Sequence, residues 1–277
     1  MRIGAHVRRQ GGGVSGAVEE VRRRGADCAQ IFVSNPRGWA PPHMTADQAR
    51  AFRDAWTASG YAPLVAHAPY LVNIASANDA FLARSRSLAL STLDACASIG
   101  AEYLVVHAGT GGADPHGAVV TRAAESLRLL AAHGSPTTVL VELEEGISAA
   151  TASTVGDAAR LFAEAGTDQV GLCLDTCHLF ATGYPLGTSQ GVAQLFDELR
   201  EMGLLERVAV IHANDAMFER GSHRDRHENI GDGHIGLDGF RALLSRPELT
   251  DLTLILETPG GADRHAADIA ALRARAP

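Results

Sequence analysis

Eight short apolar runs punctuate the chain: Arg2–His6, Cys28–Val33, Pro63–His67, Tyr103–His107, Thr138–Glu142, Gly171–Asp175, Val208–His212 and Thr253–Glu257. Each is rich in Val, Ile and Leu and is bounded by turn residues, which predicts a strand buried on both faces. Helical patterns fill the gaps, at about Ser15–Arg24, Ala46–Ser59, Asn78–Ser98, Gly117–Ala132, Thr154–Ala165, Ser189–Met202, Leu237–Leu244 and Asp263–Arg275. Gly25, Gly60, Gly100, Gly134, Gly166 and Gly203 follow six of these, where a left-handed residue caps a helix. Alternating strands and helices predict an α/β fold, a single (β/α)8 TIM barrel over residues 1–277. Reactive side chains of such a barrel gather at the C-terminal strand ends.

From the third run onward those ends are His67, His107, Glu142, Asp175, His212 and Glu257. Imidazole and carboxylate are the donors that hold zinc-like divalent ions. Three further candidates are placed in loops. His178 follows Asp175 by three residues, and Asp225 and His227 stand two apart, on one side of an extended backbone. Nine donors exceed the four that fill one structural zinc site, so two or three ions sharing carboxylates are expected. His6 shares the location as a supporting residue. His43, His116, His133 and His265 lack such context and are expected to be solvated; His223 and His234 flank the Asp225/His227 pair.

Composition narrows the chemistry. All 24 basic residues are arginine, so neither a Schiff-base lysine nor a P-loop lysine is available. The formal charge of −8 weighs against a nucleic-acid partner, yet three divalent ions would bring it to −2. The field at the barrel mouth matters more than the total. Cys28, Cys96, Cys173 and Cys177 show no C-x-x-C spacing and read as small buried thiols in a reducing cytoplasm. The chain enters its first strand at once, leaving no room for a signal peptide, and lacks an apolar stretch long enough to span a membrane. Arg22-Arg23-Arg24 ends a helix, where cations complement the dipole, and is not expected to be a DNA patch. Two long connections, Val33 to Thr45 and His212 to Gly236, are expected to carry substrate contacts.

Several stretches resemble one known family. Ile3-Gly-Ala-His6, His67-Ala-Pro-Tyr-Leu-Val-Asn-Ile74, Leu174-Asp-Thr-Cys-His-Leu-Phe-Ala-Thr-Gly183 and His212-Ala-Asn-Asp215 are similar to endonuclease IV, the zinc-dependent apurinic/apyrimidinic (AP) endonucleases of base-excision repair. So are Gly221-Ser-His-Arg-Asp-Arg-His-Glu-Asn-Ile-Gly231 and Leu256-Glu-Thr-Pro259, and the likeness runs from Met1 to the final helix. The resemblance implies three zinc ions. His67, His107 and Glu142 would hold one; Glu142 would bridge to a second, completed by Asp175, His212 and Glu257; His178, Asp225 and His227 would hold the third. It further implies Glu142 and Glu257 as catalytic residues and Tyr70 and Leu71 as a wedge in double-stranded DNA. Asn35, Arg37 and Arg226 become contacts to phosphates or the orphan base. The implied reaction cuts 5′ to an abasic site and leaves a 3′-hydroxyl and a 5′-deoxyribose phosphate, with a monomer expected. Two positions depart from the family's pattern: Leu143-Glu-Glu-Gly146 stands where Asn-Thr-Ala-Gly is usual, and Gly38 where Gln follows the arginine.

Three alternatives are weighed against this. A sugar isomerase or epimerase of the xylose-isomerase-like barrel type would use a set much like Glu142, Asp175, His212 and Glu257. It would have no need of His178, Asp225 and His227. An amidohydrolase would want H-x-H after the first strand and often a modified lysine, and neither is present. A lesion-binding module without catalysis would have little use for nine ligands.

Overall fold

The computed structural model describes residues 1–7, 14–146 and 150–276, apart from the side chains of 14 and 15. Its strands are β1 (Arg2–His6), β2 (Cys28–Phe32), β3 (Leu64–His67), β4 (Tyr103–His107), β5 (Thr138–Glu142), β6 (Val170–Asp175) and β7 (Val208–His212). A two-residue antiparallel pair, β8 (Asp215–Ala216) and β9 (His227–Glu228), precedes β10 (Thr253–Leu256). Strands β1 to β7 and β10 close a parallel barrel in the order β1-β10-β7-β6-β5-β4-β3-β2. Cys28, Val65, Val105, Leu140, Cys173, Val210 and Ile255, one from each of β2 to β7 and β10, fill the barrel interior. In β1 the corresponding position is Gly4, where a Cβ would lie 2.3 Å from the Cys28 carbonyl oxygen. The larger apolar cluster lies between the strands and the surrounding helices.

The helices are α1 (Val14–Arg24), α2 (Ala46–Ser59), α3 (Asp79–Ile99), α4 (His116–Ala131), α5 (Val155–Ala165), α6 (Thr176–Thr182), α7 (Ser189–Glu201), α8 (Gly236–Leu244) and α9 (Ala262–Arg273). Local chemistry fixes their ends. Thr45 with Gln48, and Thr154 with Asp157, form reciprocal capping boxes at the starts of α2 and α5. All six glycines expected as terminators have positive φ, between 61° and 76°. The Arg22–Arg24 run ends α1 in ion pairs with Glu19, Asp263 and Glu20, respectively.

Three expectations are corrected. His227 lies not in a loop but at the start of β9, where backbone pairing with Ala216 of β8 holds it. His178 lies not in a loop but in α6, a short helix buried from Thr176 to Ala181. With no solvated face there is no amphipathic period to betray it. His265 is not solvated: on α9 it is buried, its Nε2–H donating to the Thr258 carbonyl at 2.8 Å while Nδ1 accepts from Arg24 Nε at 3.1 Å. Among the described residues no helix is long and apolar enough to cross a membrane.

Candidate metal centre

Parallel strands in a closed barrel end on one face. His67, His107, Glu142, Asp175 and His212 are the last residues of β3, β4, β5, β6 and β7, and Glu257 follows β10 by one residue. Asp175 also serves the helix that follows it. Its Oδ1 caps α6 by accepting the His178 N–H at 3.0 Å, which brings His178 to the same mouth. The β8–β9 pair returns the long loop so that Asp225 and His227 come down onto His178.

The nine candidate ligands fall into three groups whose donor atoms lie within 4.8 Å of one another: His67, His107 and Glu142; Glu142, Asp175, His212 and Glu257; and His178, Asp225 and His227. Glu142 belongs to the first two. Its Oε2 lies 3.1 Å from His67 Nε2 and 3.2 Å from His107 Nε2, while Oε1 lies 2.8 Å from His212 Nδ1. Cys177 Sγ also comes within this range of Asp175 and His227, but the thiol donates to the Arg226 carbonyl at 3.5 Å.

Four histidines have their outward ring nitrogen tied down. The Nδ1–H groups of His67, His178 and His227 donate to the carbonyls of Ala68, Leu143 and Glu257 at 2.7, 2.9 and 3.2 Å. His212 is reversed, with Nε2–H donating to Gln30 Oε1 at 2.8 Å. A proton held on one nitrogen leaves the lone pair of the other facing inward, the state a metal ligand needs.

His178 Nε2 and His227 Nε2 are buried and, among the described residues, make no hydrogen bond, although Asp225 Oδ1 lies 3.6 and 3.2 Å away, respectively. Two orphaned lone pairs converging on a carboxylate fit a cation and are costly without one. Charge points the same way. Burial disfavours the charged form of His107 and His227, but Glu142 beside the first and Asp175 beside the second outweigh it and raise both to about 9. Burial likewise resists ionisation of Glu142, yet His212 and His107 hold its carboxyl well below the usual range. This is a buried excess of negative charge that gathers positive charge.

Side chains that expectation missed hold these ligands. Asn214 donates to Asp175 Oδ2 at 2.7 Å, and its Oδ1 accepts the Glu257 N–H at 2.8 Å. Asp268 accepts from Asn229 Nδ2 at 2.8 Å and Thr258 Oγ1 at 2.7 Å, clamping the segments that follow His227 and Glu257. Gln30 had one visible signal, a polar residue inside an otherwise apolar run. Of the unusual Leu143-Glu-Glu-Gly146 segment, Leu143 is fully buried and its carbonyl holds His178. Glu144 is buried, with Oε1 3.9 Å from His107 Nδ1, and burial pushes its carboxyl up to about 7.

Above the ligands opens a cavity of about 960 Å³, whose walls include Phe32, Asn35, Arg37, Tyr70 and Arg226. Tyr70 stands at its rim, 59 % exposed and edge-on to Phe32, with its N–H donating to the Pro36 carbonyl at 3.0 Å. Leu71 is half-buried and lies outside the cavity wall, so of the two only Tyr70 stands exposed at the mouth. Asn35 Oδ1 accepts the Arg37 N–H at 3.0 Å, and Gly38 leads into Trp39, which is anchored between Phe81 and the Arg84 guanidinium. Among the described residues no carboxylate pairs with Arg37 or Arg226; both line the mouth, and Arg226 Nη1 donates to the Asp225 carbonyl at 2.9 Å.

The chain is similar to known proteins in sequence and fold. Residues 18–275 match the family described as xylose isomerase-like TIM barrel. Probable endonuclease 4 of Streptomyces coelicolor is 41% identical over 276 residues, 98% of this chain and 94% of that protein. The crystal structure of endonuclease IV from Thermus thermophilus superposes with a TM-score of 0.88 at 35% identity, covering 99% of this chain and 98% of that one. The chain belongs to the endonuclease IV family. It is an AP endonuclease, a phosphodiester hydrolase, and membership implies a metal cofactor. A putative xylose isomerase from Rhodospirillum rubrum also superposes, with a TM-score of 0.77 over all of both chains. At 18% identity that likeness shows the fold alone.

Proposed function

We propose that this endonuclease acts as one domain, residues 1–277, on double-stranded DNA, hydrolysing the phosphodiester 5′ to an abasic site with three zinc ions. The products are a 3′-hydroxyl and a 5′-deoxyribose phosphate. His67, His107 and Glu142 would hold one ion, Glu142, Asp175, His212 and Glu257 a second, and His178, Asp225 and His227 the third. The observation that carries this reading is the third group: two buried, unpartnered imidazole nitrogens aimed at Asp225 beside a carboxylate shared by the other two groups. A sugar isomerase or epimerase has no use for that group.

Bound divalent ions would supply Lewis acidity toward the phosphate and a nucleophilic water at neutral pH. The protein's own contribution is placement. Glu142, with one oxygen in each of two groups, sets their spacing, and Glu257 closes the second group at the open cavity; these two are the proposed catalytic residues. Arg37, Arg226 and Asn35 would hold the DNA backbone or the orphan base at the rim. Tyr70, with Leu71 beside it in the chain, would enter the duplex, and extrusion costs least where a base is already missing. The buried free thiols suit a reducing cytoplasm, and a monomer suffices because every proposed ligand comes from one chain.

Purified protein incubated with a duplex carrying one abasic-site analogue tests this directly. Cleavage 5′ to the analogue, leaving an extendable 3′-hydroxyl, is expected, with metal analysis near three zinc per chain. Cleavage on the 3′ side, or one ion or none per chain, overturns it.

A further inference from the structure

Gln30 is fully buried at the middle of β2, between Ala29 and Ile31, where the strand is otherwise apolar. An amide in that position is costly unless its hydrogen-bonding groups are satisfied. They are. Oε1 accepts from His212 Nε2–H at 2.8 Å, and the amide NH2 donates to Glu257 Oε1 at 2.6 Å and to His6 Nδ1 at 3.1 Å. The alternative amide orientation would set Oε1 against the Glu257 carboxylate, acceptor against acceptor, so the partners fix which way the group points.

That orientation has a chemical consequence. Gln30 Oε1 holds a proton at His212 Nε2, so Nδ1, 2.8 Å from Glu142 Oε1 and 3.3 Å from Glu257 Oε2, is the nitrogen left to face a cation among these carboxylates. One oxygen of Glu257 is engaged by the amide, and the other is turned toward the His212 side of the cluster. A single side chain from β2 therefore selects the donor nitrogen of one candidate ligand and the free oxygen of another, on β7 and after β10. A histidine ring with no partner on its far nitrogen populates both tautomers, and only one of them presents a lone pair inward.

We infer that Gln30 is the positioning residue for a divalent cation at the Glu142, Asp175, His212 and Glu257 cluster, fixing the tautomer of His212 and the rotation of Glu257. The inference rests on the ligand assignment proposed above. It predicts a defect confined to one ion, because the Gln30 side chain hydrogen-bonds to His212, Glu257 and His6 and, among the described residues, to no member of the His67/His107 pair or the His178/Asp225/His227 group.

The test uses full-length protein loaded with zinc, titrated with a chelator and followed by zinc retained per chain, with 15N-histidine spectra reporting the protonated ring nitrogen. Gln30→Met keeps the length and removes the hydrogen bonds. One ion should leave at roughly 10- to 100-fold lower chelator concentration, the range typical of lost outer partners of metal ligands, while the others leave as in the parent. The His212 signals should shift toward a tautomer mixture. Gln30→Glu keeps an acceptor for His212 but repels Glu257, so the tautomer should persist while the same ion is loosened. Should Gln30→Met not fold, Gln30→Glu carries the test, and even loosening of all ions would overturn the inference. So would a folded Gln30→Met that holds every ion as tightly as the parent with His212 unchanged. A parent protein that binds no ion at this cluster would instead remove the ligand assignment, and the role of Gln30 with it.

Discussion

His212 turns Nδ1, not Nε2, toward Glu142, at 2.8 Å, while the other oxygen of that carboxylate lies 3.1 Å from His67. One side chain thus joins two of the three ligand groups. Glu142→Ala should therefore release more than one ion per chain and reduce cleavage to background, with the His178, Asp225 and His227 group retaining its own. Elemental analysis of purified variant and parent checks this. Loss of a single ion would mean the two groups hold metal independently.

Glu257 lies at the edge of the cavity and contributes to only one group. Glu257→Gln keeps its size and its capacity to accept from Gln30, so docking should survive while chemistry does not. Affinity for abasic DNA should stay within about an order of magnitude of the parent, and cleavage should fall at least a thousandfold, roughly 4 kcal/mol of activation free energy. Binding titrations beside single-turnover cleavage measure both. Parent-like cleavage would remove Glu257 from the catalytic set.

Arg37 and Tyr70 share a rim but should fail differently. Arg37→Ala removes a cation with no carboxylate partner among the described residues, so it should weaken intact and abasic duplexes alike and flatten the salt dependence by about one phosphate contact. Tyr70→Ala should weaken abasic duplex selectively, because only an extrudable nucleotide lets the ring enter. Titrations on matched duplexes at several salt concentrations separate the two. Equal losses on both duplexes for Tyr70→Ala would reassign the ring to general packing against Phe32.

Asp215 is buried and accepts the backbone N–H groups of Gly231 at 2.9 Å, Gly233 at 3.2 Å and Ile235 at 2.9 Å. This carboxylate folds the end of the long loop under β8, whose partner β9 carries His227. Asp215→Ala strands several buried donors and should cost about 3 kcal/mol or more in denaturant unfolding. His227 should lose its register, so an ion at the third group should leave more easily under chelation. A loss below about 1 kcal/mol would show that water replaces the carboxylate at little cost.

Much of this protein is decided by its sequence over short range. Apolar runs of strand length, the capping boxes at Thr45 and Thr154 and the glycines after the helices depend on neighbours a few residues away, and the barrel follows from their alternation. The strand-end ligands were legible because a closed parallel barrel must bring all its C-terminal ends to one face. Tertiary structure decided what has no local signal. The all-round burial of α6 hid the helix carrying His178, and His265 is buried where it hydrogen-bonds to Arg24, 241 residues away in the chain. Which nitrogen of His212 faces the cluster depends on Gln30, 182 residues away in the chain and 2.8 Å away in space. A side chain's residue type and period are written locally, but its tautomer and free lone pair are set by partners that only the closed barrel brings within hydrogen-bond reach.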